Sequence, residues 1–157
     1  MKGVRWLTAP LVLSLALVIG GRSASAQTCG ISATTVSFGH YDGVTTTDAV
    51  TTGNLNYWCA SASNARTVTV YLSKGAAPSN NPRKMQPYSG TDKLNYNLYL
   101  DAAHTQIWGD PNPYCYKAIV PANTWPNVNI PVYGVIPQGQ DVASGTYADN
   151  LTVTINF

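Results

Sequence analysis

The sequence of 157 residues has the length of one domain and carries nine Lys and Arg against seven Asp, with no Glu. So sparse and balanced a charge does not favour nucleic acid or an anionic membrane as a partner. Thr, Asn, Gly, Tyr and Ala dominate, which favours strands and tight turns over helices.

The N-terminus has the three parts of a secretory signal peptide. A basic start precedes an apolar run at residues 11–19, and Ala24-Ser-Ala26 forms a small-residue cleavage site. The apolar run is too short to span a bilayer. Cys29 lacks the Leu-small-small triplet of a lipoprotein signal, which argues against a lipid anchor. We expect residues 1–26 to be removed, and three of the nine basic residues with them. The remaining chain would carry six Lys and Arg against seven Asp, a net charge of −1.

Beyond the signal peptide, apolar residues alternate with polar ones at the period of a strand, and no helical period is present. Residues 75–90, rich in Pro, Asn and Ser, are predicted to be a long loop, and residues 110–113 a turn. Pro131 predicts a sheet edge or a bulge. Short strands between such turns indicate one all-β domain, a sandwich or barrel. The predicted strands are residues 36–38, 55–59, 68–72, 94–100, 105–108, 116–120, 128–136 and 147–157.

The last predicted strand has the clearest alternation. Leu151, Val153, Ile155 and Phe157 alternate with polar residues and therefore share one face. The sequence ends at Phe157, so we expect a sandwich that lacks its last strand, with an open edge and a gap in its core. These four residues are predicted to form the interface for a strand supplied from outside, by a donor subunit or a chaperone.

Four ordered motifs resemble the spore coat protein U domain family, which includes subunits of archaic chaperone–usher pili. They are VSFGHYD, then LNYNLY followed by DAAHT and WGD, then VYGVIPQGQ, and finally GTYADNLTVTINF, and together they span residues 29–157. The resemblance implies an immunoglobulin-like β-sandwich without its last strand over residues 27–157. A periplasmic chaperone lends the missing strand, and a neighbouring subunit later replaces it by β-strand addition.

The resemblance also implies a function, that of a secreted structural subunit of a bacterial surface fibre or coat. Its partners would be a periplasmic chaperone, an outer-membrane usher and neighbouring subunits, and it would pass through the periplasm to the cell surface. Only Gln27 and Thr28 precede Cys29 in the expected mature chain, whereas a donor strand needs ~8 residues at ~3.3 Å each. We therefore expect a terminal or tip subunit, or a coat protein that does not polymerise in this way.

Three cysteines, Cys29, Cys59 and Cys115, leave one outside any internal pair. Cys29 lies just before the first predicted strand and Cys59 near the end of the second, where a sandwich can bring neighbouring strands close enough for a bridge. The family resemblance points the same way, and we predict a Cys29–Cys59 disulfide. Cys115 would then be either a buried thiol or a link to another chain.

Catalysis and metal binding have little support in the sequence. His40 and His104 show no metal-ligand spacing, and no nucleophile motif accompanies them. His104 is interpreted as a turn residue. Carboxylate pairs of glycoside hydrolases usually include Glu, which is absent, and Asp101 and Asp110 lie in a turn-rich segment. We therefore expect no enzyme, no metal site and no cofactor.

The aromatic residues keep a second hypothesis open, a secreted carbohydrate-binding or adhesive module that acts as a monomer. Trp58, Trp108 and Trp125 lie beyond the signal peptide, and packing in the core or at an edge is the expected role of each. Trp125 lies on a Pro-flanked loop and is the candidate ligand contact. Co-purification with a periplasmic chaperone would favour the fibre subunit, and glycan binding by a folded monomer would favour the module.

Overall fold

The computed structural model describes residues 28–109 and 114–157, so the predicted signal peptide and the turn predicted at 110–113 lie outside the described residues. Within these ranges the chain forms strands and no helix, and therefore no helix that could cross a membrane. The strands are β1 (Cys29–Ala33), β2 (Ala49–Cys59), β3 (Arg66–Leu72), β4 (Arg83–Pro87), β5 (Leu94–Tyr99), β6 (Tyr116–Val120), β7 (Asn127–Ile136), β8 (Tyr147–Ala148) and β9 (Val153–Asn156).

Two antiparallel sheets enclose one core. The larger has the strand order β1-β2-β7-β5-β4-β8 and the smaller the order β6-β3-β9. Alternation explains why these strands pack: Val68, Val70 and Leu72 of β3 are at most 4% exposed, while the residues between them face outward. The prediction of an all-β, immunoglobulin-like β-sandwich is confirmed. The apolar core side chains that are less than 2% exposed are Leu55, Tyr57, Val68, Val70, Trp108 and Ile136.

The prediction that Pro131 marks a sheet edge or a bulge was wrong for the strand as a whole, because β7 lies between β2 and β5. Pro131 pairs with Asn54 of β2. The backbone groups of Asn54 bond instead to Thr34 on the other side of β2. Asn54 N donates to Thr34 Oγ1 at 2.9 Å, and Asn54 O accepts from Thr34 N at 2.9 Å. Asn54 therefore needs no donor from Pro131. On its other side β7 pairs with β5 only at residues 133–135, so the proline nitrogen interrupts no ladder.

Two other segments differ from the sequence prediction. Residues 75–90, predicted as a loop, contain β4, whose Arg, Lys and Gln residues show no apolar alternation. Residues 105–108, predicted as a short strand, form a single bridge between Ile107 and Tyr99.

Residues 34–38 cross the core face of the larger sheet and form no strand, contrary to the prediction for residues 36–38. Val36 lies over Gly53 of β2 and Phe38 over Gly134 of β7. A Cβ at these glycines would come within 2.7 and 2.8 Å of the side chain above, so both positions need glycine. Val36 and Phe38 still pack against the core, which agrees with the predicted inward alternation.

The predicted C-terminal strand is divided between the two sheets. β8 pairs with β4 at the end of the larger sheet, and β9 pairs with β3 of the smaller one. Asp149 lies at the crossing and accepts hydrogen bonds from Ala76 N at 3.1 Å and from the Tyr96 hydroxyl at 2.8 Å. Asp149 takes the inward position between Tyr147 and Leu151, so a polar residue interrupts the apolar alternation at the point where the chain changes sheets.

Candidate functional site

A groove of about 1150 Å³ opens between the two sheets. One wall consists of residues 33–44, which include the crossing segment. The other consists of residues 139–151 together with Val153. The base of the groove is formed by residues of the apolar core, each of which is at most 9% exposed. The base residues are Leu55, Leu72, Met85, Leu94, Tyr96, Leu98, Val132 and Ile136.

Strand β9 borders this groove and has an open edge. It ends the smaller sheet and pairs only with β3 among the described strands. Beside β3, Ser73 N donates to Thr152 O at 2.9 Å and Thr152 N to Ser73 Oγ at 2.9 Å. Successive residues of a strand direct their backbone groups to opposite sides. The N–H and C=O groups of Val153 and Ile155 therefore point away from β3, toward the open edge.

Three of the four residues predicted to form the strand interface lie together. Leu151, Val153 and Ile155 are partly buried against the core, and Leu151 and Val153 line the groove. Phe157 lies apart, with 49% of its surface exposed and no place in the groove lining. The sequence reasoning missed the opposite wall, residues 33–44. The alternation of Val36 and Phe38 was its only signal there.

Long-range hydrogen bonds hold the two walls in place. The Tyr41 hydroxyl donates to Pro137 O at 2.9 Å and accepts from Gln140 N at 3.0 Å. The Gln140 side-chain amide bonds to both backbone groups of Asn95 in β5. It accepts from the Asn95 N–H at 2.8 Å and donates to the Asn95 carbonyl at 2.9 Å. Both walls are thereby fixed to the larger sheet near the base of the groove.

One charged residue, Arg83, is buried beside the base of the groove. Its guanidinium donates to the main-chain carbonyls of Leu72, Ser73 and Trp108. Desolvation lowers the pKa of Arg83, and the proximity of Tyr96 and Asp149 opposes this effect. Desolvation raises the pKa of Tyr96, as does its hydrogen bond to Asp149, so the Tyr96 hydroxyl stays neutral and donates. This network fixes structure and presents no nucleophile to the groove.

The cysteines are arranged as the sequence and the resemblance predicted. Cys29 and Cys59 lie directly opposite each other in β1 and β2 and form a disulfide. Cys115 is 8% exposed and lies outside this pair.

The three tryptophans have different environments. Trp108 is fully buried and donates from Nε1 to Val70 O at 2.9 Å, as expected of a core residue. Trp58 and Trp125 are 46% and 76% exposed and line a second, shallower hollow of about 290 Å³.

The candidate acid–base residues form a turn. His104 has a φ of 55° and lies 5.3 Å from Tyr99, ring centre to ring centre. Desolvation would raise the pKa of Asp101, but hydrogen bonds from Gln106 and Thr105 outweigh it and lower that pKa. Within residues 28–109 and 114–157, no cluster of His, Cys and Asp side chains could hold a metal ion.

Comparison with known proteins identifies the family. The model of the Spore Coat Protein U domain matches residues 16–154. "Protein U" of Myxococcus xanthus is 32% identical in an alignment of length 143, which covers 82% of this chain and 74% of Protein U.

The fold also has a solved counterpart. The chain resembles one in the crystal structure of the CsuC–CsuE chaperone–tip adhesion subunit pre-assembly complex from archaic chaperone–usher Csu pili of Acinetobacter baumannii. The TM-score is 0.58 and the identity 24%, over 83% of this chain and 40% of the solved one, so the present chain spans less than half the length of that relative. That likeness concerns the sandwich fold, while the family match covers most of the sequence, and the chain belongs to the spore coat protein U domain family.

Proposed function

We propose that the protein is a secreted structural subunit of a bacterial surface fibre or coat, assembled by chaperone–usher donor-strand complementation. The groove beside the open edge of β9 carries this proposal. A strand placed there would bond to the backbone groups of Val153 and Ile155 and insert alternate side chains into the groove. A periplasmic chaperone, an outer-membrane usher and neighbouring subunits are the proposed partners. Membership of the family and the pilus relative support this assignment.

Energetics favour an external strand over an empty groove. Burying one apolar side chain stabilises a protein by about 1.5–3 kcal/mol, so four or five side chains give roughly 10 kcal/mol. That is comparable to the whole stability of a typical domain, about 5–15 kcal/mol. Without a donor, the subunit is expected to be marginally stable and to depend on a chaperone.

Donor fusion tests the proposal. A peptide with alternating apolar residues, joined after Phe157 by a flexible linker, should raise the melting temperature of the mature protein sharply. Val153→Asp should abolish this gain because the strand would bury an unpaired charge. Thr154→Asp is the matched control, since Thr154 lies on the exposed face of the same strand and the gain should survive.

One result would replace the proposal. If the unfused protein is a stable monomer whose melting temperature the fusion leaves unchanged, the sandwich closes with its own residues. The alternative function, a secreted carbohydrate-binding or adhesive module acting as a monomer, would then take precedence. Co-expression gives an independent measurement, because a subunit with an open groove should co-purify with a periplasmic chaperone and the Val153→Asp variant should not.

Export and position in the assembly complete the proposal. We place cleavage after Ala26, which the intact mass of the secreted protein tests, and a mature product that retains residues 1–26 would contradict it. Cleavage there would leave Gln27 and Thr28 ahead of Cys29, too few for a donor strand. The subunit would then accept a strand without giving one, as a terminal or tip subunit does. When this subunit is added to a fibre-assembly reaction in vitro, it should terminate the growing fibres and not extend them.

A further inference from the structure

Two large indole rings face solvent at one end of the larger sheet. Trp58 projects from the outer face of β2, between the buried residues Tyr57 and Cys59, and is 46% exposed. Trp125, in the turn before β7, is 76% exposed. Both line the 290 Å³ hollow, which has no lining residue in common with the groove. A binding role at this hollow is therefore independent of whether a strand enters the groove.

The orientation of Trp58 depends on the residue opposite it. In the β1–β2 register Trp58 pairs with Gly30, and a Cβ at residue 30 would overlap the indole ring. Glycine therefore lets the ring lie across β1, where it presents one face outward. The neighbouring turn is also held, because Cys59 N donates to Pro126 O at 3.2 Å next to Trp125. Both indoles thus rest on ordered backbone.

A row of asparagine amides continues from the indoles along the same face. Asn127 of β7 pairs with Trp58 in the register. Asn56 Nδ2 donates to Asn127 Oδ1 at 2.8 Å, and Asn129 Nδ2 donates to Asn54 Oδ1 at 3.1 Å. These bonds fix the amides and occupy one donor or acceptor of each, so every amide keeps further hydrogen-bonding capacity for a ligand. Asn54, Asn127 and Asn129 are exposed and Asn56 is partly so.

We propose that this face binds a neutral oligosaccharide, with Trp58 and Trp125 stacking on sugar rings and the asparagine row bonding to hydroxyl groups. Indole faces suit the apolar C–H face of a pyranose, and fixed amides suit hydroxyls, which both donate and accept. None of the six side chains carries a charge, which favours a neutral saccharide over an anionic one. From Trp58 to Asn54 the face extends about 13 Å along β2, roughly two to three pyranose rings.

Titration of the mature chain with cellohexaose, N-acetylchitohexaose and xylohexaose tests the site through tryptophan fluorescence and calorimetry. At least one of the three should bind. Trp125→Ala and Trp58→Ala should each weaken that binding about tenfold or more, equivalent to about 1.4 kcal/mol. Asn56→Ala should weaken it about threefold, and Tyr88→Ala, at a 93% exposed tyrosine elsewhere, should not. Because Trp125 is so exposed, its removal leaves the core intact even if Trp58→Ala fails to fold.

Three outcomes would overturn the assignment. The first is absence of binding to all three saccharides. The second is saccharide binding that survives both Trp125→Ala and Trp58→Ala. The third is saccharide binding that needs the tryptophans but is unaffected by Asn56→Ala, which would identify an apolar contact without a role for the asparagine row. Repeating the titration on the donor-fused protein separates this inference from the proposed assembly, since saccharide binding should persist whether or not the fusion raises the melting temperature.

Discussion

Asp149 joins three segments that are distant in sequence. Its carboxylate accepts from Ala76 N and the Tyr96 hydroxyl, and it also lies near the buried Arg83 guanidinium. Asp149→Ala leaves both donors without this partner and should lower the free energy of unfolding by about 1–3 kcal/mol. Asp149→Asn, which keeps an acceptor oxygen, should cost less. Urea denaturation measures both.

The control for this prediction is Asp141→Ala, because Asp141 is exposed and lies on the same wall of the groove. Its free energy of unfolding should stay within about 0.5 kcal/mol of the wild type. Equal effects at the two positions would contradict a specific role for Asp149.

Tyr57 gives the fold an alkaline limit. Burial raises the pKa of Tyr57 to about 12, and the neighbouring Tyr116 adds to this, whereas an unfolded tyrosine has a pKa of about 10. Because the folded protein holds the Tyr57 proton more tightly than the unfolded chain does, the neutral hydroxyl contributes to stability. This contribution is complete below about pH 10 and is lost as the pH rises toward about 12. The free energy of unfolding should therefore fall across this range.

Tyr57→Phe should make the decrease in the free energy of unfolding with pH less steep. Part of the decrease should remain, because burial also raises the pKa of Tyr96. Tyr88→Phe is the matched control, because the 93% exposed Tyr88 should not alter the slope. Chemical denaturation repeated between about pH 9 and 12 measures all three. A Tyr57→Phe slope equal to that of the wild type would contradict the prediction.

At the scale of an element, the disulfide holds edge strand β1 to β2. It closes a loop with a sequence separation of 30 residues, for which the chain-entropy estimate is about 3–4 kcal/mol. The double variant Cys29→Ser/Cys59→Ser should lose about that much unfolding free energy. Dithiothreitol should lower the wild type to the same value and leave the double variant, which retains Cys115, unchanged. A response of the double variant to reductant would point to Cys115 instead.

The strands that the sequence predicted best belong to the interior of each sheet and turn one face toward the core. β3, β5 and the second half of β2 from Leu55 to Cys59 place an apolar residue at every second position, and these residues pack into the core. β4 could not be found this way, since Arg83 occupies a core position where the pattern requires an apolar residue. Only its tertiary carbonyl partners make that burial tolerable.

The candidate site was only partly accessible to sequence reasoning for a related reason. Leu151, Val153 and Ile155 belong to a periodic segment, and that period is why the sequence places them on one face. The walls at residues 33–44 and 139–151 are mostly irregular, and contacts such as Tyr41 with Pro137 position them. Partners that lie 96 residues apart leave no local pattern to detect. The hollow beside Trp58 likewise depends on the β1–β2 register.

For the whole molecule, the open edge of β9 predicts self-association. An unpaired strand edge beside a groove lined by apolar side chains is a template for another chain. In sedimentation velocity, a chain of residues 27–157 without a donor should form oligomers as its concentration rises through the micromolar range. The donor-fused protein should remain monomeric because its own strand occupies that edge. A monomer at every concentration without a donor would contradict this prediction.

The topology also sets the order in which the molecule can be completed. β2 pairs along its length with β7, and β3 pairs with β9, so that Trp58 meets Asn127 and Thr69 meets Asn156. As the chain leaves the ribosome or a translocation pore N-terminus first, the apolar faces of β2 and β3 emerge long before either partner. Closing such distant pairs is slow. The apolar faces of β2 and β3 are therefore open to aggregation before the groove has formed. A chaperone that covers the first half of the emerging chain would act earlier than one that fills the finished groove.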